Sequence, residues 1–282
     1  MRTLARLGFS CAVVSVAACL LPTLDALKGG ATDGGPSKDA AAETAPLDGS
    51  LPTDGGFTCP PVTLVPSGLV AYYPMDETSG VVVHDCSGNG LDGIVQGDGT
   101  WTAGGINGTL AFGGASSCVL LPNPTPSSLD FDGKTGFTLT FFATIASTTT
   151  SWPRYFIAGK TANPQAAGWR ASVEFSATRF AFAMPNGDGG TLGVTSSPAV
   201  INVGETHHLV MLFAPGSQTR VFVDGVQRGS LGSPPPFAKD SVSMRLGCSG
   251  DNQNFFKGRL DEVRFYNQPL SMQAITDLAN QK

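Results

Sequence analysis

The chain has 282 residues, 41% of them hydrophobic and only 14% charged, with 36 Gly and 20 Pro. That apolar content is enough to fill a core, while so few charges exclude coiled coils and long solvated helices. The net charge of −5, with no Lys/Arg stripe, cannot neutralise a run of phosphates and excludes nucleic acid as a partner.

Residues 1–21 open with Arg2 and Arg6 and continue as an apolar run from Leu7 to Leu21. A run of that length is short of the roughly 20 residues a bilayer span needs, and a basic start before it reads as an export signal. Small residues before a Cys, as in Val16-Ala17-Ala18-Cys19, resemble a bacterial lipobox, which would make Cys19 the lipid anchor of the mature protein. The alternative is ordinary cleavage nearby, which would release a secreted protein. Residues 22–57 are then rich in Gly, Ala, Asp, Pro, Ser and Thr, with few large apolar side chains to offset the entropy of ordering. The composition predicts a disordered tether ahead of a folded domain over 58–282.

Of six cysteines, Cys11 and Cys19 belong to the export segment, leaving Cys59, Cys86, Cys118 and Cys248. An even four in an exported domain predicts two disulfides, with three connectivities open. Structural zinc needs close Cys pairs, and the nearest spacing here is 27 residues.

Past Cys59 the chain reads as short strands separated by turns. Strands are predicted at 68–76, 93–96, 109–112, 118–121, 137–145, 155–158, 169–175, 179–184 and 207–213, then at 242–246 and 258–266. The stretch 169–175 alternates, which predicts one buried and one wet face. Asp224-Gly225 between two β-type runs is a tight hairpin turn, because Gly tolerates the positive φ it requires. One helix closes the chain, capped by Ser271, with Ile275 and Leu278 on one side. About a dozen strands with no interleaved helices predict an all-β, two-sheet sandwich with a short C-terminal helix.

Several strings are specific in their order. A first strand ends in Tyr73-Pro74-Met75-Asp76, and a loop Asp85-Cys86-Ser87-Gly88-Asn89 follows. Then come Gly104-Gly105 before Leu110-Ala111-Phe112, His208-Leu209-Val210, the Asp224-Gly225 hairpin, and the run Gly258 to Tyr266 with its trailing helix. This ordered set resembles the laminin-G-like jelly roll of the concanavalin A-like lectin and glucanase superfamily, over residues 68–280. The resemblance implies a jelly-roll sandwich and admits both enzymes and binding modules.

Relatives that hydrolyse glucans carry Glu-x-Asp-x-x-Glu on one strand, a string that this sequence lacks. Glu174 stands alone on its strand, and Asp261 and Glu262 are neighbours, so strand alternation sends them to opposite faces. His207 and His208 are likewise expected on opposite faces, which suits neither a shared metal nor a triad, and His84 stands by itself. The loop oxygens of Asp85, Ser87, Asn89 and Asp92 resemble the first half of a calcium loop, although position twelve would be Gln96. The same residues are also ordinary turn formers. For a glycan ligand, Trp152, Tyr155, Trp169, Arg170 and Asn186 are the candidates to line a concave face. The sequence thus reads as a non-catalytic binding module at the cell envelope, for a glycan or an envelope protein, touching the membrane only through its N-terminal lipid. A protein-binding adhesion module and a glycoside hydrolase or lyase are the competing readings.

Overall fold

A computed structural model describes residues 56–62, 65–122, 128–146, 155–161, 167–174, 178–186 and 188–281. The export signal with Cys19, the tether up to residue 55 and Trp152 lie outside the described residues.

In chain order the strands begin with β1 (Leu69–Tyr73), β2 (Val82–Val83), β3 (Gly93–Gln96), β4 (Thr100–Ile106) and β5 (Gly108–Gly113). β6 (Cys118–Leu120), β7 (Phe137–Ile145), β8 (Tyr155–Lys160), β9 (Trp169–Glu174), β10 (Arg179–Pro185) and β11 (Thr191–Thr195) follow. Last come β12 (Thr206–Phe213), β13 (Gln218–Val223), β14 (Val226–Gly232), β15 (Arg245–Leu246), β16 (Lys257–Tyr266) and the helix α1 (Met272–Ala279). The first sheet runs β14-β13-β12-β7-β16-β5-β4, with β1 also paired to β16, and the second runs β11-β10-β9-β8-β15-β6-β3-β2. Two eight-stranded antiparallel sheets with one terminal helix form the jelly-roll sandwich that the strand pattern predicts.

Alternation builds the core. On β7, Phe137, Leu139, Phe141, Ala143 and Ile145 face the opposite sheet. Phe137 packs against Phe131, Trp169 and Phe213, with ring centroids 4.6, 5.2 and 5.5 Å away. The other face of this sheet is covered too: Ile275 and Leu278 of α1 pack on Val210, Leu212, Phe222 and Tyr266. Each fully buried aliphatic side chain there contributes roughly 2 kcal/mol. Thr138 seats the helix, its Oγ1 donating to Gln268 O at 2.9 Å and accepting from Leu270 N at 3.0 Å. Ser271 caps it, accepting from Ala274 N at 3.1 Å.

The Asp224-Gly225 turn forms as predicted, with φ of 51° and 74°. Its aspartate also ties down the neighbouring strand, accepting from His208 N at 3.0 Å and meeting His207 Nδ1 at 2.7 Å. His208 lies on the other face, 2.6 Å from Thr140 Oγ1. The four cysteines resolve to Cys59–Cys86 and Cys118–Cys248, one of the three connectivities open to the sequence.

Strands β4 and β11 were not expected from the sequence. Gly105 of β4 and Gly193 of β11 each sit where a neighbour comes close. A Cβ on Gly105 would lie 2.1 Å from Asp261 Oδ2, and one on Gly193 would lie 3.0 Å from Phe182 O. The wet face expected for β9 is also absent: Arg170 and Ser172 are buried, as are Trp169, Ala171 and Val173 on the opposite side.

Candidate functional site

Strand β16 organises the site. Along one edge it pairs first with β5, through residues 257–260, and then with β1, through residues 263–266. On its other edge the register with β7 shifts between Asp261 and Arg264. Two residues of β16 therefore oppose one of β7, a β-bulge. Glu262 takes φ 53° there, and Leu260, Val263 and Phe265 remain in the core. The extra residue breaks the period-two alternation, so Asp261, Glu262 and Arg264 all face outward. The sequence expectation that Asp261 and Glu262 diverge to opposite faces is thus corrected.

Two other residues beside this bulge also hold positive φ without being glycine: Met75 at 63°, just past β1, and Asn107 at 71°, in the turn between β4 and β5. Such backbone costs free energy and collects where the surrounding structure enforces it.

The side chains around the bulge form a charged, nearly sealed array. Tyr72 Oη donates to Glu262 Oε1 at 2.9 Å, and Arg264 donates to Glu262 Oε2. The guanidinium also lies over the Tyr72 ring, 4.5 Å from its centroid. Arg264 is only 4% exposed, and among the described residues its Nε and Nη1 have no hydrogen-bond partner. Asp261 Oδ2 accepts from Ile106 N at 2.7 Å, while its Oδ1 has no partner among the described residues. Burial pushes Asp261 up to about 8, with Glu262 and Asp76 adding repulsion. Burial and Glu262 likewise push Asp76 up to about 6. Glu262 is raised by burial and pulled back by Arg264 and Tyr72.

Above this array opens a cleft of about 440 Å³. Glu262, Arg264, Tyr72, Asn107 and Gln281 supply its polar lining, and Ile106 with the segment Pro60-Pro61-Val62 supplies its apolar wall. The Cys59–Cys86 disulfide ties that wall to the sandwich, helped by Phe57 stacked 4.7 Å from His84. The volume lies within the usual range for small-molecule sites.

Of the residues predicted from sequence as ligand contacts, Trp152 lies outside the described residues, and Trp169, Arg170 and Asn186 each take a separate place. Trp169 is fully buried between Phe131, Phe137 and Phe182, so its ring is closed to a sugar. Arg170 points the opposite way on β9, buried between Gly159 and Ala183 of the flanking strands. Asn186 holds its own turn, its Oδ1 accepting from Asp188 N at 3.0 Å and Gly190 N at 2.8 Å. Tyr155 opens β8.

The loop proposed for calcium is a hydrogen-bond hub. Asp85 Oδ1 accepts from Tyr72 N at 2.9 Å and Ser87 N at 3.0 Å. Its Oδ2 accepts from Ser87 Oγ at 2.9 Å and Leu91 N at 3.0 Å. Asp92 Oδ1 accepts from Asp85 N at 2.7 Å, and Asn89 turns its Nδ2 to Val70 O at 2.8 Å. Donors surround the Asp85 carboxylate where a cation would have to sit, so Asp85, Ser87, Asn89 and Asp92 do not fit a calcium ion.

Sequence reasoning missed Tyr72, Asp76, Asn107, Glu262 and Arg264. A signal was present: in Leu260-Asp261-Glu262-Val263-Arg264-Phe265, two consecutive polar residues interrupt an alternating strand, which is how a bulge reads in sequence.

Comparison with known proteins bears on this architecture. Residues 112–276 match the laminin G 3 family, described as the concanavalin A-like lectin/glucanases superfamily. No curated protein matches the chain. Among solved structures, the binding domain of Paraclostridial mosquitocidal protein 1 aligns with TM-score 0.62 and 16% identity, over 76% of this chain and 52% of that one. Domain 4 of a GH43 extracellular arabinanase from Geobacillus stearothermophilus, in complex with arabinotriose, aligns with TM-score 0.56 and 21% identity, over 75% and 98%. Botulinum neurotoxin type C, whose cell entry depends on interaction with two ganglioside molecules, aligns with TM-score 0.58 and 11% identity, over 76% and 51%. This chain thus spans about half the length of the two toxin chains. At these identities the likeness is one of fold.

Proposed function

We propose that this chain, which belongs to the concanavalin A-like lectin/glucanases superfamily, is a non-catalytic binding module for a carbohydrate at the cell envelope. The observation that carries this reading is the cleft beside the β16 bulge. It sets a carboxylate, a guanidinium and an amide against an apolar wall of proline, valine and isoleucine. Planar charged groups pair well with ligand hydroxyls, and an apolar wall suits the C–H faces of a sugar ring. The arabinotriose complex of the arabinanase domain supports the same class of ligand.

The cleft favours binding over hydrolysis. Glycoside hydrolysis ordinarily needs two carboxylates flanking the scissile bond. Among the described lining residues Glu262 is the one carboxylate, and Tyr72 and Arg264 already hold it. Two disulfides suit an oxidising compartment, consistent with export, and the lipid at Cys19 would tether the module to a membrane surface.

The test is a glycan array followed by calorimetry with the full chain. Asn107→Gly removes a lining amide while keeping the positive φ, and Val62→Trp fills the cleft. The expected result is an oligosaccharide ligand that both variants weaken at least tenfold. Failure to bind any glycan would overturn the carbohydrate reading in favour of a protein partner. Binding that survives both variants would move the site away from this cleft.

A further inference from the structure

We infer, resting on the carbohydrate reading above, that the cleft selects an N-acetylated amino sugar, its acetamido group held between Arg264, Gln281 and the Pro60-Pro61-Val62 wall. Arg264 is 4% exposed, and with Nη2 committed to Glu262 its Nε and Nη1 have no acceptor among the described residues. Gln281 Oε1 is buried and has no donor among them. Both side chains line the same cleft as Pro60, Pro61 and Val62. A buried N–H without an acceptor and a buried carbonyl without a donor each cost free energy, which a complementary ligand returns.

A secondary acetamide answers all three features at once. Its carbonyl oxygen accepts from Arg264, its N–H donates to Gln281 Oε1, and its methyl lies on the proline and valine wall. A sugar hydroxyl can donate or accept but brings no methyl. A protonated amine carries donors only and offers the guanidinium nothing to bond. A uronate carboxylate has no N–H for Gln281, and it would compete with Glu262 for a guanidinium that is already neutralised.

The C-terminal helix sets Gln281 for this role. Leu278 packs on the outer face of the first sheet, and Gln281 N donates to Leu278 O at 3.2 Å. Gln281 follows the last helical residue, Ala279, and the cap, Asn280, so its backbone is pinned while its side chain lies outside the helix. Arg264 is held more firmly, by Glu262 on one nitrogen and by the Tyr72 ring under the guanidinium plane. The donor is thus fixed and the acceptor is the part that turns. Both atoms are buried in the free chain, and the acetamide reaches them as the Gln281 side chain swings over it.

The test uses the full chain, on a glycan array and by calorimetry. Oligosaccharides of N-acetylglucosamine and N-acetylgalactosamine are compared with their deacetylated forms and with glucose and galactose oligosaccharides of the same linkage. The expected result is at least tenfold tighter binding of an acetylated ligand than of its two counterparts, because a site with buried polar groups rejects a ligand that leaves them unpaired. In NMR, the acetyl methyl should receive the strongest saturation transfer from the protein. Gln281→Leu, which removes the acceptor outside the helix, should reduce the preference below threefold at an unchanged thermal midpoint. Equal affinity for acetylated and deacetylated ligands would overturn the inference and leave the carbohydrate reading standing, as would a preference that survives Gln281→Leu. An array that yields only ligands without an acetamido group would do the same. An array that yields no ligand would overturn both.

Discussion

Asp261 and Glu262 are consecutive on one strand, yet both carboxyl groups lie on its outer face, one bonded to Ile106 N and the other to Tyr72 and Arg264. A bulge with positive φ at Glu262 makes this arrangement, at the point where β16 changes partner from β5 to β1. That single extra residue brings the Glu262 carboxylate to the face that carries the Arg264 guanidinium and, on β1, the Tyr72 phenol.

The Glu262–Arg264 pair should behave as a coupled unit. Arg264→Met strands a buried carboxylate and should cost about 3–5 kcal/mol. Glu262→Gly strands the guanidinium but relieves the positive φ, which returns about 1 kcal/mol. Because each single change leaves the other charge behind, the double variant should lose less than the sum of the two. Urea denaturation of the four species gives the coupling, and strict additivity would contradict the pairing.

Two glycines with positive φ should respond differently to alanine. A Cβ on Gly88, at φ 87°, would meet nothing within 4 Å, so Gly88→Ala should cost only the backbone strain, about 1 kcal/mol. Gly105, at φ 60°, would place its Cβ 2.1 Å from Asp261 Oδ2 and 2.6 Å from Thr109 Cγ2. Gly105→Ala should therefore cost about 1–3 kcal/mol more, read as a larger drop in the urea midpoint at unchanged slope.

The two disulfides should separate stability from binding. Cys118–Cys248 spans 130 residues of sequence and Cys59–Cys86 spans 27. Loop-closure entropy then predicts losses of about 5 and about 3–4 kcal/mol for the respective double serine variants. The smaller loss should carry the larger effect on ligand affinity, since Cys59 anchors the Pro60-Pro61-Val62 wall of the cleft. Calorimetry below both melting transitions would reveal it. Equal affinities in the two variants would contradict the wall's role.

Buried Lys160 sits 2.6 Å from Asp130 Oδ1, and Lys239 sits 3.0 Å from Oδ2. Burial alone would raise the Asp130 carboxyl, but the hydrogen bonds and charges of the two lysines outweigh it and hold the group below its ordinary value. Its contribution is therefore present above the unfolded carboxyl pKa near 3.9 and is lost as pH falls through the lower folded value. Asp130→Ala should cost about 3 kcal/mol at neutral pH and progressively less below about pH 4. A stability gap that stays constant down to pH 2 would contradict this assignment.

Local features were determined by the sequence alone. The Asp224-Gly225 turn, the Ser271 cap and the apolar alternation along β7 each depend on a few adjacent residues, whose steric and hydrogen-bonding preferences act without help from the rest of the chain. The ordered strings from Tyr73 to Tyr266 likewise sufficed for the sandwich and its family. Tertiary structure decided everything that requires distant segments to meet. It chose the pairing of four cysteines, turned the Trp169 ring into the core, and filled the Asp85 carboxylate with donors from Tyr72, Ser87 and Leu91. It also placed the bulge that joins Tyr72, Asn107, Glu262 and Arg264 in one cleft. Alternation predicts a side chain's face only while the ladder register holds, and at Asp261 and Glu262 the bulge against β7 shifts that register.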